Sequence, residues 1–153
     1  TGLFSTRGYN IESLNVAPTD DKNLSRVTLV VRGSNEAIEQ LNSQLSKLID
    51  VVGINDMTQG DHFERELLIV KIKINSESQQ EINHLISEFN AVILDDSIES
   101  YTIQLTGNIE EIDGFVSKIS TLGTFQAVAR SGSVSVSKGK IILSSYANKN
   151  LSN

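Results

Sequence analysis

The apolar positions of this chain change their spacing along its length, and the changes predict alternating strands and helices. Residues 11–18 and 25–32 are rich in apolar and β-branched side chains and are predicted to be strands. Pro18 and the polar run 19–23 predict a turn, so these strands should form a β-hairpin with a long loop. Residues 1–7 are predicted to be the last turns of a helix that ends at Gly8.

Helical spacing follows the hairpin. Ser34 is predicted to cap a helix, with Glu36 in the first turn, where a negative charge stabilises the positive end of the helix dipole. The apolar stripe of this helix recurs every three or four residues, at Ile38, Leu41, Leu45 and Leu48. Residues 50–57 contain Val51, Val52 and Ile54 in a short span and are predicted to be a further strand.

A second module is expected after a polar linker at residues 59–65. Its strands are predicted at 66–74, 91–94, 100–106 and 125–129. Its helices are predicted to open at Ser76 and Asn108, which have Gln79 and Glu111 three residues on, the spacing of a capping box. The order strand, helix, strand, strand, helix, strand is the ferredoxin-like arrangement.

The two modules share this order, except that the first module lacks its opening strand. The predicted fold class is therefore α+β, with two ferredoxin-like βαββαβ modules. Because the first strand of this fold lies inside the sheet, we expect residues upstream of Thr1 in the natural protein. The predicted boundaries are 1–58 and 66–137 for the modules, 59–65 for the linker and 138–153 for a flexible tail, with a short strand after Ser131.

Composition narrows the class of protein. Hydrophobic residues make up 39% of the chain and charged residues 21%, which suits a globular core. The net charge of −6 disfavours binding to nucleic acid or to an anionic membrane surface, since both require a surplus of Lys and Arg. No cysteine is present, which excludes disulfides, thiol catalysis and zinc–thiolate sites. No apolar run approaches the about 18 residues of a membrane span.

The residues with potential catalytic or metal-binding chemistry are few. His62 lies beside Asp61 and two glutamates, which is compatible with a metal site or general base, although a polar connector is the simpler interpretation. His84 is expected on the solvated face of a helix. Asp95 and Asp96 are adjacent and should point apart, whereas an acid–base pair converges from separate elements. The charged run 64–66 is predicted to be solvated. These patterns favour a binding or regulatory protein over an enzyme.

Several longer stretches are more specific than any single residue. They are residues 2–14 (GLFSTRGYNIESL), 16–21 (VAPTDD), 24–28 (LSRVT), 59–60, 64–67, 70–71 and 128–132 (VARSG). These stretches closely resemble the small, regulatory subunit of acetolactate synthase (acetohydroxyacid synthase), and the likeness covers nearly the whole chain. The resemblance implies an amino-terminal ACT domain and a carboxy-terminal ferredoxin-like domain.

The resemblance also implies a function. Members of this family have no active site and bind a catalytic large subunit, which holds thiamine diphosphate, FAD and Mg²⁺ and condenses pyruvate with a second 2-oxo acid. The small subunit raises this activity and makes it sensitive to valine, and it forms a homodimer through its ACT domains. The matching positions for valine here are Asn10 and Ile11, while the glycine-containing loop that completes the pocket is expected upstream of Thr1. The family occurs in bacterial cytoplasm and plastid stroma.

Two other interpretations follow from the residues. A free-standing amino-acid sensor or a transcription-linked ACT protein is one, although the chain is acidic and shows no helix-turn-helix pattern. A ferredoxin-like RNA-binding protein is the other, but such a sheet needs stacking aromatic residues, and only 5% of this chain is aromatic. An enzyme in its own right ranks behind both.

Overall fold

The computed structural model describes residues 5–6 and 8–139. The chain divides into two compact units, which are described separately. Unit 1 comprises Thr1–Phe63 and Ser135–Asn153, and unit 2 comprises Glu64–Val134. The predicted flexible tail, 138–153, lies outside the described residues apart from Lys138 and Gly139.

Unit 1 is built on the predicted β-hairpin. Strand β2 (Tyr9–Pro18) pairs antiparallel with β3 (Ser25–Gly33), which confirms the hairpin. Polar side chains hold its loop, since the Asp21 carboxylate accepts a hydrogen bond of 2.9 Å from the Asn23 amide. A hydrogen bond of this kind within a loop is typical of Asp in turns.

Helix α1 (Asn35–Ser46) of unit 1 begins where the sequence predicts. The Ser34 hydroxyl accepts a hydrogen bond of 3.2 Å from the Ala37 amide, which confirms Ser34 as the cap. Of the described hydrophobic side chains in unit 1, Ala37 alone is buried, while the predicted stripe is half-buried as far as Leu45 and exposed at Leu48. Unit 1 therefore has little core of its own in this structure.

Two predictions for unit 1 are wrong. Ser5–Thr6 form a short strand, β1, rather than the end of a helix, because Gly8 has a φ of +89° and reverses the chain so that β1 pairs with Tyr9 and Asn10. Residues 50–57 are not a strand. The Val51 N–H donates to the Leu48 carbonyl, residues 51–56 are irregular, and the segment runs into a 3₁₀ turn at Met57–Gln59.

Unit 2 has the predicted ferredoxin-like topology. The elements follow one another in the order strand, helix, strand, strand, helix, strand: β4 (His62–Lys73), α2 (Gln79–Glu88), β5 (Val92–Asp96), β6 (Ser100–Gly107), α3 (Ile109–Ile119) and β7 (Thr124–Arg130). The sheet order is β5-β6-β4-β7, so the first strand of the module lies in the interior. Strand β8 (Val134–Ser137) pairs with β4 and confirms the short strand after Ser131. Because β4 begins at His62, part of the predicted linker 59–65 is strand.

The core of unit 2 lies between one face of this sheet and the two helices. Strand β4 alternates strictly and contributes Leu68, Val70 and Ile72, all fully buried. The predicted stripes of α2 and α3 meet it, through Ile82, Leu85, Ile86, Ile112, Phe115 and Ile119. The helix faces predicted from spacing are thus confirmed.

The two helices of unit 2 begin differently. The Asn108 side chain accepts a hydrogen bond of 2.8 Å from the Glu111 amide, as predicted. The capping box expected at Ser76 does not form, and α2 begins at Gln79. Asn75 explains the delay, because its side-chain oxygen accepts hydrogen bonds from the Ser78 amide (2.9 Å) and hydroxyl (2.8 Å), which hold residues 76–78 in a turn.

Glu66 is buried, with 5% of its surface exposed, which contradicts the prediction of a solvated charged run. The alternation of β4 places it on the same face as Leu68. Arg130 of β7 meets it with two hydrogen bonds (Nε–Oε1 2.5 Å, Nη2–Oε2 3.1 Å) and also binds Asp113 of α3 (Nη1–Oδ1 2.7 Å). The hydrogen bond with Glu66 is the main cause that raises the pKa of Arg130 above its ordinary value. This ion cluster ties β4, β7 and α3 together.

Replacing Arg130 is expected to destabilise unit 2 strongly. Arg130→Ala leaves the Glu66 carboxylate buried without its cation, and removing one partner of a buried pair costs about 3–5 kcal/mol. Asp113→Ala is the matched control, since Asp113 is 59% exposed and its pairing contributes at most about 1 kcal/mol. Native-state hydrogen exchange of the β4 and β6 amides measures both free energies. Equal losses in the two variants would contradict the assigned role of Glu66.

The two units are expected to differ in their protection from hydrogen exchange. Unit 2 buries thirteen hydrophobic residues in one cluster, whereas only Ala37 is buried among the described hydrophobic residues of unit 1. Local opening needs less free energy where few apolar contacts must break. Amides of β2 and β3 should therefore exchange faster than those of β4 and β6. Equal protection of the two strand pairs would contradict this expectation.

Candidate functional site

Asn10 and Ile11 lie at the start of β2, directly after the turn at Gly8. Asn10 is exposed and Ile11 is half-buried. The neighbouring strand end is unusually close, because a Cβ on Gly33 would lie 2.8 Å from Cβ of Tyr9. Because glycine has no Cβ, the end of β3 at Gly33 can lie directly beside Tyr9, the residue before Asn10.

Charged groups of both signs flank Asn10. Its cross-strand partner on β3 is Arg32, and the Arg32 guanidinium forms an ion pair with Glu12 (Nε–Oε1 3.0 Å) at the surface. Cross-strand partners share a face of the sheet, so the amide and the guanidinium lie side by side. An amide donates and accepts hydrogen bonds, so this patch offers partners for both a carboxylate and an ammonium group.

The backbone at Ile11 lies beyond the end of the neighbouring strand. Strand β1 pairs only with Tyr9 and Asn10, so in the part of the sheet that the structure describes, β2 has β3 as its single neighbour from Ile11 onward. A β-bulge between Ile11 and Ser13 bends the strand at this point. An edge strand of this kind can pair with a further strand or bind a polar ligand through its main chain.

The other residues singled out from the sequence are not brought together. The His62 ring nitrogen Nδ1 lies 3.3 Å from the Gly60 carbonyl oxygen. Asp95 and Asp96 are exposed on β5, where Asp95 accepts a hydrogen bond from the Ser97 hydroxyl. Within residues 5–6 and 8–139, no group of three or more His, Asp or Glu side chains could hold a metal ion.

His84 lies on the exposed surface of α2, as predicted, and lines a groove between α2 and α3. The groove has a volume of about 620 Å³ and a mixed polar and apolar lining. Lys118, the one lysine that lines the groove, forms an ion pair with Glu88 (Nζ–Oε1 3.5 Å), and its Nζ lies 5.2 Å from the centre of the Phe89 ring.

Sequence reasoning missed the Glu12–Arg32 pair beside Asn10. Counting back from the Pro18–Ser25 pair at the loop places position 33, not 32, opposite position 10. The β-bulge between Ile11 and Ser13 shifts the pairing by one residue, and the sequence gives no signal for this bulge. The described helices are all too short or too polar to cross a bilayer.

Comparisons with known proteins agree for both units. Residues 1–53 match the family described as AHAS small subunit-like ACT domain, and residues 65–139 match the family described as Small subunit of acetolactate synthase. The chain is 42% identical over 142 residues to acetolactate synthase isozyme 3 small subunit of Salmonella typhimurium, covering 93% of this chain and 87% of the relative. The corresponding subunit of Escherichia coli is 43% identical, with the same coverage.

A solved structure gives the same result. The crystal structure of the acetolactate synthase small subunit from Thermotoga maritima matches with a TM-score of 0.74 and 31% identity, over 91% of this chain and 86% of that chain. The predicted α+β fold with an ACT and a ferredoxin-like module is confirmed by this likeness. On these grounds the chain belongs to the family of acetolactate synthase small subunits.

Proposed function

We propose that this chain is the non-catalytic regulatory subunit of an acetolactate synthase, which binds and activates the catalytic large subunit and makes it sensitive to valine. The observation that carries the proposal is the similarity to small subunits over 93% of the chain. Thiamine diphosphate, FAD and Mg²⁺ would then be held by the catalytic subunit.

Valine would bind at the start of β2. The Asn10 amide would contact the charged ends of the amino acid, and the main chain of Ile11 would offer further hydrogen bonds at the strand edge. Arg32 and Glu12 supply the two charges that an amino-acid zwitterion needs nearby. A pocket of this kind separates valine from leucine, which is one methylene longer, by only about 1–3 kcal/mol, so leucine should bind more weakly at the same place.

The homodimer would form by pairing of β2 edges, which places the site at the seam between two ACT domains. Valine bound there can change the catalytic subunit only if it binds one arrangement of the dimer better than another. Typical coupling free energies of about 1–3 kcal/mol would give strong but partial inhibition. The named relatives come from bacteria, which favours a cytoplasmic enzyme over a plastid one.

Asn10→Ala is expected to weaken valine binding about tenfold to a hundredfold, because a hydrogen bond to a charged group contributes about 1.5–3 kcal/mol. Asn23→Ala is the matched control, since Asn23 is an exposed asparagine in the loop of the same hairpin. Isothermal titration calorimetry of the full-length natural subunit measures both affinities. An unchanged affinity in Asn10→Ala would remove this residue from the site.

Adding the subunit to its own catalytic partner tests the role directly. We expect acetolactate formation to accelerate, and valine to slow it again. Asn10→Ala should preserve the acceleration and lose most of the valine response, whereas Asn23→Ala should preserve both. No change in rate on mixing would contradict the proposal and favour a free-standing amino-acid sensor.

A further inference from the structure

Glu12 is the extra residue of the β-bulge in β2. Its two neighbours in the strand pair with consecutive residues of β3, Val31 and Val30, so Glu12 lies opposite no residue of β3 in the described hairpin. A bulge of this kind re-aims a side chain from the direction that regular alternation would give it. The Glu12 carboxylate contacts the Arg32 guanidinium, with 3.0 Å between Oε1 and Nε.

This ion pair is accessible from solvent. The side chain of Glu12 is 42% exposed and that of Arg32 is 80% exposed. An exposed ion pair contributes little to the stability of a protein, so the fold does not explain the pair. The contact joins Nε to Oε1, whereas a guanidinium has five N–H donors and a carboxylate has two oxygen atoms. Both groups can therefore bind a ligand in addition to each other.

Asn10 forms a polar patch with this pair. It is the cross-strand partner of Arg32, so the amide and the guanidinium lie on the same face of the sheet. An amino acid carries its carboxylate and its ammonium group on one carbon atom. A guanidinium binds a carboxylate through parallel N–H donors, and the Glu12 carboxylate can accept hydrogen bonds from an ammonium group. The patch therefore has a separate partner for each charged end of the ligand.

We propose that Glu12 determines the class of ligand, because it favours an amino acid over the 2-oxo acid with the same side chain. This inference rests on the proposed function, since it concerns the site proposed for valine. The 2-oxo acid keeps the carboxylate and the apolar side chain but has a carbonyl oxygen in place of the ammonium group. A carbonyl oxygen donates no hydrogen bond to Glu12, and the ligand then places a second negative charge beside this carboxylate.

The shape of the pocket cannot replace this contact. The two ligands have the same side chain, and an apolar pocket discriminates weakly between ligands of nearly equal size. Loss of a hydrogen bond to a charged group weakens binding about tenfold to a hundredfold, so valine should bind at least about tenfold more tightly than its 2-oxo acid. The subunit would then respond to an amino acid and not to 2-oxo acids, the class of substrate that its proposed catalytic partner condenses.

Glu12→Gln tests the assignment, because glutamine has nearly the same shape, no charge and an N–H donor for a carbonyl oxygen. Valine should bind this variant about tenfold more weakly, since a charge-assisted hydrogen bond is lost. The 2-oxo acid of valine, 3-methyl-2-oxobutanoate, should bind more tightly than it binds the unaltered subunit. Isothermal titration calorimetry of the full-length natural subunit with each ligand measures the ratio of the two affinities, which should fall at least about tenfold.

Two further variants separate the role of Glu12 from a general effect of charge. Glu81→Gln removes the same charge from an exposed position of α2 in unit 2 and should leave both affinities unchanged. Arg32→Gln should weaken the binding of both ligands, because both carry the carboxylate that Arg32 is proposed to bind. Hydrogen exchange of the β2 and β3 amides should be the same in all variants, since the Glu12–Arg32 pair is exposed.

The outcomes distinguish this inference from the proposed function. If valine binds the unaltered subunit but Glu12→Gln leaves the ratio of affinities unchanged, Glu12 is not the determinant, and the proposed function stands. Equal binding of valine and 3-methyl-2-oxobutanoate to the unaltered subunit would overturn the inference in the same way. If valine does not bind the unaltered subunit, the proposed valine site and this inference are both wrong.

Discussion

The antiparallel pairing of β4 between β6 and β7 is the interaction on which unit 2 depends. Because successive side chains of β4 alternate between the two faces of the sheet, the strand register determines which of its side chains are buried in the core and which are exposed on the other face. Leu68 and its even-numbered neighbours form the centre of the core, and Glu66 extends this row to the ion cluster with Arg130. The odd positions, among them Ile69, lie on the other face. A shift of one residue would exchange the two sets and bury lysines.

Unit 1 is organised by a hairpin rather than by a core. The left-handed backbone of Gly8 and the missing side chain of Gly33 bring three chain segments together at one end of β2. Asn10 lies at this junction, and its surroundings are set by backbone geometry and strand register more than by packing. A site of this kind can respond to a small ligand, since few apolar contacts hold it in one arrangement.

Sequence reasoning succeeded where a strong local signal and the tertiary structure agree. The hairpin, the caps at Ser34 and Asn108, the helix stripes and the order of unit 2 followed from spacing and capping chemistry. It failed at Asn75, where a competing turn delays α2, and at residues 50–57, where apolar composition suggested a strand but the segment from 51 to 56 is irregular. Glu66 was predicted to be solvated because it is charged, although the alternation of β4 places it on the buried face of the strand. The positions proposed for valine came from family resemblance, since no spacing alone singles out Asn10.

The short strand β5 also bears on aggregation. It is the outer strand of its sheet, and its three consecutive apolar residues Val92, Ile93 and Leu94 are substantially exposed, a composition that invites fibril growth. Two aspartates follow at once, and the strand stops there. Carboxylates at this place repel an incoming identical strand and keep an apolar segment from seeding aggregates. Neutralising both aspartates would leave an exposed outer strand of five residues with which an identical strand could pair.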